Sequence, residues 1–310
     1  MQIIKHDINI DFVGKRKIAL ILSGIVILLG LASLVVNGGP NYGIDFVGGT
    51  LVQVKFSTDT DAAKIKDGLA SLDLGSVVVQ RFGDEPNEFL IRVEGSTKES
   101  NLSALISGNL NQVYGEGTVD IRRVEMVGPL VGKDLREKGV LSLVYAMVGI
   151  LIYISWRFEL RFAIGAIVAL LHDVLITLGA FSITGREIDL PIIAAFLAII
   201  GYSLNDTIIV YDRIRENYGK HQKQGFNAVI NHSINETLSR TILTSGTTLL
   251  VVVALFIFGG GVIHNFAFAM LVGILVGTYS SIFVASPVLI FWDDYRSRGQ
   301  KKAAAEGGAR

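Results

Sequence analysis

Apolar residues in this chain run in long unbroken stretches, not in the short alternating blocks of a water-soluble core. Uncharged windows lie at 18–36, 139–156, 241–263 and 266–292. Two more, 162–185 and 190–211, are apolar except for His172-Asp173 in the first and Asp206 in the second. About twenty such residues cross a hydrocarbon layer of about 30 Å as a helix, so the pattern predicts six transmembrane helices. The first follows Lys15-Arg16-Lys17 but is longer than a signal-peptide core, and no small-residue cleavage signature comes after it. It reads as a permanent anchor.

The pattern changes between windows one and two. Residues 51–56 alternate with period two, as a half-buried strand does, and 61–72 repeat apolar positions at helical spacing behind an aspartate cap. Residues 76–81 and 88–93 read as a hairpin around Gly83-Asp84-Glu85-Pro86, 102–113 as a second helix and 118–126 as a last strand. The order β-α-β-β-α-β predicts a ferredoxin-like α+β domain inserted between helices 1 and 2. The division expected is 1–37 for the N-terminus and helix 1, 38–137 for the insert, 138–295 for helices 2–6, and 296–310 for a disordered tail. The acids Asp45, Asp84, Glu85 and Glu125 read as solvated turn and edge charges.

Short-loop Lys and Arg set orientation. Lys5, Lys15, Arg16 and Lys17 precede helix 1, and Arg157 and Arg161 separate helices 2 and 3. Arg213, Arg215, Lys220 and Lys223 follow helix 4, and Arg296, Arg298, Lys301 and Lys302 follow helix 6. The opposite side carries Arg186 alone, so both termini are expected in the cytoplasm and the insert on the far side.

Composition narrows the function. Half the 310 residues are apolar and 18% are charged, with 28 basic against 28 acidic residues. A soluble protein carries about 25% charged residues. Zero net charge speaks against nucleic-acid binding by bulk positive potential. No cysteine is present, which excludes disulfides, thiolate metal sites and thiol catalysis. The five histidines show no metal-binding spacing, and no nucleophile–base set is evident, so neither a metal, a cofactor nor an enzymatic activity is expected. Two glycine-rich segments flank the insert, with Gly43, Gly48 and Gly49 in one and Gly128, Pro129 and Gly132 in the other. Neither fits a phosphate loop, since G-P-L-V-G-K-D is one residue short and lacks the Ser/Thr. They read as hinges between a rigid domain and two helices.

Four segments together carry a resemblance: G-I-D-F-V-G-G-T at 43–50, V-G-P-L-V-G at 127–132, I-G-Y-S-L-N-D-T-I-I-V-Y-D-R-I-R-E-N at 200–217 and T-L-S-R-T-I-L-T-S-G-T-T-L at 237–249. They resemble the SecF family, the smaller half of the bacterial SecD–SecF protein-export complex, itself similar to an RND-type transporter. The resemblance covers the whole chain. It implies a bacterial inner-membrane protein and SecD as heteromeric partner. It also implies work beside the SecYEG channel and its insertion factors, with proton-motive force promoting late export of unfolded polypeptides. A passive translocon scaffold, or half of a lipid or small-molecule exporter, are the alternatives.

The intramembrane charges are the candidate site. A charge at the centre of a span costs about 2.5–3.5 kcal/mol on insertion scales, so each calls for a reason. Asp206 in helix 4 and Arg240 at the start of helix 5 lie at similar depth on antiparallel neighbours, which makes an ion pair feasible. The resemblance implies the same two positions as the family's intramembrane acid and base. Asn205 and Ser203 flank the acid. His172 and Asp173 lie mid-span as relay partners or as a polar pair holding helices together, and Thr244 and Thr247 are weak candidates for lining an ion path.

Overall fold

Six helices of 21 to 36 residues carry the apolar windows in a computed structural model of the chain, which describes residues 9–72, 74, 75, 77–82, 87–93, 102–220 and 225–307. The hairpin tip 83–86, Ser76, Lys5 and Lys223 lie outside the described residues. The helices are α1 (Arg16–Val36), α5 (Pro129–Arg157), α6 (Leu160–Thr184), α7 (Leu190–Lys220), α8 (Phe226–Phe258), and α9 (Gly260–Ser280) continuing through a π turn into α10 (Ser286–Gly307). Several overrun their apolar windows, because the polar flanks are themselves good helix formers. Span five ends at Phe258, five residues before its apolar run does, where Gly259 caps α8 and Gly260 at φ 68° turns the chain into α9. α10 extends to Gly307, through the helix-favouring run Lys-Lys-Ala-Ala-Ala-Glu.

Between α1 and α5 lie α2 (Ile44–Val47), β1 (Gly49–Phe56), α3 (Ala62–Leu69), β2 (Val77–Arg81), β3 (Glu88–Val93), α4 (Leu102–Tyr114) and β4 (Val119–Val127). Asp61 caps α3 by accepting from the Lys64 amide, as the sequence pattern requires. The sheet order is β2-β3-β1-β4 with every pairing antiparallel, and a bulge at Gln53/Val54 shifts β1 against β4. Val52, Val54 and Phe56 of β1 and Phe89, Ile91 and Val93 of β3 point to one face. Ile65 and Leu69 of α3 and Ile106 and Leu110 of α4 close over them. Burying each such side chain contributes about 1.5–3 kcal/mol, so this layer has a core of its own.

The two glycine segments meet each other. A Cβ on Gly48, whose φ is 79°, would sit 2.7 Å from Pro129 Cα, and one on Gly132 would sit 3.0 Å from the Gly48 nitrogen. Glycine is required there for close backbone approach and for a positive φ. Pro129 opens α5 at a position where its missing N–H costs no helical bond.

Within the bundle, Gly273 and Gly277 of α9 press against Ile199 and Ser203 of α7. Small residues allow this contact. The π turn at Ser281–Ala285 leaves carbonyls that an α-helix would satisfy. Ser286 Oγ donates to Ser281 O at 3.0 Å, and the fully buried Tyr211 donates to Ala285 O at 3.2 Å. At the N-terminus, Asn231 and Asn235 of α8 accept from the Ile10 and Phe12 amides and donate to Ile10 O, which straps residues 10–13 along α8.

Candidate functional site

Two buried carboxylates, three residues apart in their contacts along α7, form the polar centre of the bundle. Asp173, 1% exposed on α6, accepts on Oδ2 from Ser203 of α7 at 2.5 Å and from Ser280 of α9 at 2.9 Å. Its Oδ1 lies 2.9 Å from His172 Nδ1. The other ring nitrogen, Nε2, lies 3.0 Å from Ser23 Oγ of α1. Ser23 donates to Tyr279, and Tyr279 donates to Ala19 O. That order fixes the hydrogens. The Ser23 hydrogen is committed, so His172 Nε2 must donate, and one further hydrogen must lie between Nδ1 and the carboxyl. The pair is net neutral whichever atom holds that hydrogen, which suits a site deep in the bundle.

Asp206 is also 1% exposed. Its Oδ2 is 3.2 Å from Ser245 Oγ of α8, which is 2.7 Å from Thr278 Oγ1 of α9. Its Oδ1 is buried with no hydrogen-bond partner among the described residues, as is Thr241 Oγ1, one turn before Ser245 on α8. Arg240 of α8 is the basic group that the sequence pairs with this carboxylate. No ion pair within 4.0 Å joins them among the described residues, and Arg240 is exposed, so the pair feasible from sequence is a separated one here. Arg240 lines a cleft of about 320 Å³ with Tyr153, Arg157 and Ile208 between α5, α7 and α8.

The remaining sequence candidates distribute differently from expectation. Ser203 serves Asp173 instead of Asp206, because it sits one turn before the acid. Asn205 is exposed. Thr244 and Thr247 donate to carbonyls of their own helix. Ser245, Ser280 and Ser23 are the hydroxyls that reach Asp206, Asp173 and His172, with Thr278 behind Ser245, and sequence reasoning passed over that role. The signal available was weak. Thr241, Ser245 and Val252 share one buried stripe of α8, but hydroxyls are common in spans as helix-packing residues.

A second charged cluster joins the insert to α7. Gly43 N–H donates to Ile188 O and Ile188 N–H to Asn41 O, a short parallel bridge. Asp45, expected as a solvated turn charge, accepts from the Leu190 amide at 2.8 Å, and Asp189 accepts from Ile192 N–H. Both carboxylates therefore cap the start of α7. Arg92 of β3 donates to Tyr42 O and pairs with Glu187 at 3.2 Å. Burial pushes Asp189 up to about 6, with Asp45 and Glu187 adding to the shift. Burial raises Glu187 as well, against the lowering pull of Arg92. Asp45, Glu187 and Asp189 border a cleft of about 470 Å³ between sheet and bundle, which His264 and Asn265 also line.

Comparison with known proteins identifies the family. Residues 107–295 match the family described as protein export membrane protein SecD/SecF, C-terminal, and residues 33–60 match the SecD/SecF GG motif. The protein translocase subunit SecF of Magnetococcus marinus is 51% identical over 99% of this chain and 98% of its own length. That of Calditerrivibrio nitroreducens is 48% identical over 96% and 99%. The crystal structure of SecDF from Thermus thermophilus, a translocon-associated membrane protein, superposes with a TM-score of 0.85 at 34% identity. The match covers 94% of this chain and 40% of that longer one. With full-length relatives and both family motifs in register, the chain belongs to the SecF family of protein translocase subunits.

Proposed function

We propose that this multi-pass inner-membrane protein is the half of a SecD–SecF complex that converts the proton-motive force into movement during late protein export. Asp206 is the proton-accepting group, Arg240 its countercharge, and the neutral His172–Asp173 pair the neighbouring polar station. The observation that carries the reading is Asp206 itself: a 1%-exposed acid inside a span, held by one serine, with its other oxygen unpartnered among the described residues. An acid in that position carries a cost that a merely structural role does not explain. A charge crossing 100 mV gains about 2.3 kcal/mol, enough to bias two helix arrangements.

Both termini face the cytoplasm in this reading, and the α+β insert, ferredoxin-like in its strand order, works in the periplasm on unfolded exported chains beside the SecYEG channel and its insertion factors. The glycine junction around Gly43, Gly48, Gly49, Gly128, Pro129 and Gly132 is where the insert pivots. SecD supplies the other half of the bundle, since six spans are half of a pseudo-symmetric transporter. Export of a reporter protein in cells whose only copy carries Asp206→Asn tests the reading. Export is expected to fall at least tenfold with membrane insertion and partner co-purification unchanged. Normal export would overturn Asp206 as the coupling site.

A further inference from the structure

Three polar contacts run in series from Asp206. Its Oδ2 lies 3.2 Å from Ser245 Oγ, Ser245 Oγ lies 2.7 Å from Thr278 Oγ1, and Thr278 Oγ1 lies 2.8 Å from the carbonyl oxygen of Ile274. Each hydrogen bond needs one hydrogen, and a hydroxyl has one to give. Ser245 and Thr278 together supply two hydrogens for three contacts. An ionised Asp206 supplies none, so in that state one contact must lapse. Either Thr278 turns from the Ile274 carbonyl to Ser245, or the 2.7 Å approach of the two hydroxyls opens. With a proton on Asp206 the series is complete, from the carboxyl to Ser245, from Ser245 to Thr278, and from Thr278 to Ile274 O.

The surroundings make this count consequential. Asp206 and Ser245 are 1% and 4% exposed, so bulk water is not at hand to supply the missing hydrogen. The three groups sit on three different helices, α7, α8 and α9. Thr278 lies three residues before the π turn, and its own carbonyl accepts from Ser281 Oγ inside that turn. Ser280, two residues on, holds Asp173. A change at Thr278 therefore falls on a stretch of α9 whose ladder is already irregular and which touches the second carboxylate.

We propose that Ser245 and Thr278 are positioning residues of the ion-coupling site, forming a two-hydroxyl relay that reverses its hydrogen-bond direction with the proton on Asp206 and carries that change from α7 through α8 to α9. The relay rests on the reading of Asp206 as the proton-accepting group and adds what that reading lacks, a path from the proton to a helix. It gives Thr278 two acceptors, one for each protonation state. It also makes a hydrogen-bearing side chain at 278 a requirement that a shape-equivalent apolar residue does not meet.

Infrared difference spectroscopy on the full chain with its partner half in lipid vesicles, titrated in pH, tests this. The carboxylic C=O band that disappears in Asp206→Asn belongs to Asp206. Thr278→Val keeps the shape and removes the hydroxyl, and is expected to shift that band and to move its titration midpoint by about half a pH unit or more. Thr278→Ser restores both. Ser245→Ala displaces band and midpoint as Thr278→Val does, which keeps the test open if one variant assembles poorly. An unchanged band and midpoint in Thr278→Val and Ser245→Ala, or equal displacement in Thr278→Ser, overturns the relay. Absence of any band lost in Asp206→Asn overturns it too. Export in Asp206→Asn is a separate readout: normal export sinks the coupling role whatever the band does, and a static band sinks the relay even where export is lost.

Discussion

Asp173 is surrounded by donors that leave it little freedom. Ser203, Ser280 and His172 all converge on its two oxygens. An asparagine fits the same set, with Oδ1 accepting from the serines and Nδ2 donating to His172 Nδ1, while Nε2 continues to serve Ser23. Alanine leaves Ser203 Oγ and His172 Nδ1 without partners and Ser280 with the Gly277 carbonyl alone, at about 1–3 kcal/mol for each group left unsatisfied. Asp173→Asn is therefore expected to keep the thermal unfolding temperature of the detergent-purified protein within a degree or two. Asp173→Ala is expected to lower it by several degrees or to prevent recovery of folded protein, and equal loss in both variants would contradict the arrangement. The acids Asp173 and Asp206 were visible in the sequence because a charge in an apolar run stands out. Ser245, Thr278, Ser280 and Ser23 were not, because a hydroxyl in a span costs little and its partner lies on another helix, 33 to 149 positions away.

At the level of elements, the windows were legible because twenty apolar residues have one common explanation. The ends need more than apolarity: α7 runs nine residues beyond its window, and the charged run Asp212–Asn217 announces that continuation by its i,i+3 spacing, seen in the Arg213–Glu216 pair. The insert's attachment was hidden. Asp45 reads locally as a turn charge, and only the fold brings it to an α7 amide 145 positions away. That attachment titrates. The carboxyl of Asp189 is raised to about 6 by burial when the insert is docked, so the docked state binds a proton more tightly than an undocked state in which Asp189 is solvated near its ordinary value of about 4. Docking is thus favoured by acid. The added stability is fully present below about pH 4 and is lost as pH rises through about 6. Glu187, raised by burial on the same face, acts in the same sense. From pH 7.5 to pH 5 the ratio of docked to undocked insert is expected to rise about tenfold. The chain has no cysteine, so Ala104→Cys on α4 and Thr184→Cys at the end of α6 give clean spin-label sites, and pulsed electron resonance distances read the ratio. Asp189→Asn should flatten the pH dependence, and a ratio that falls with acid would contradict proton uptake on docking.

For the molecule as a whole, the informative residue is the one the fold leaves uncovered. Arg240 is exposed on α8 immediately before its apolar run 241–263, and the cleft beside it opens between α5 and α7. An arginine at that place facing acyl chains is unfavourable by a few kcal/mol unless it reaches the interface or is covered by protein. Leu243, one turn further on the same stripe, is 41% exposed, and Leu28 on α1 is 66% exposed. Both surfaces are apolar, and hydrophobicity alone does not tell lipid from partner. Charge does: α1 carries nothing ionisable between Ile18 and Val36, so lipid suffices for it, whereas the Arg240 face borders a cleft that also holds Asp212, Arg213, Glu216 and Glu236, a charged surface better suited to protein than to acyl chains. The partner half is therefore expected to cover α8 around Arg240 and to leave α1 open. With a cysteine-free background, Leu243→Cys should react with a membrane-permeant maleimide in the isolated chain and lose most of that reactivity on assembly with the partner. Leu28→Cys should react equally in both. Protection of Leu28→Cys in place of Leu243→Cys would put the interface on the other side of the bundle, and would leave Arg240 to be satisfied by lipid headgroups or water.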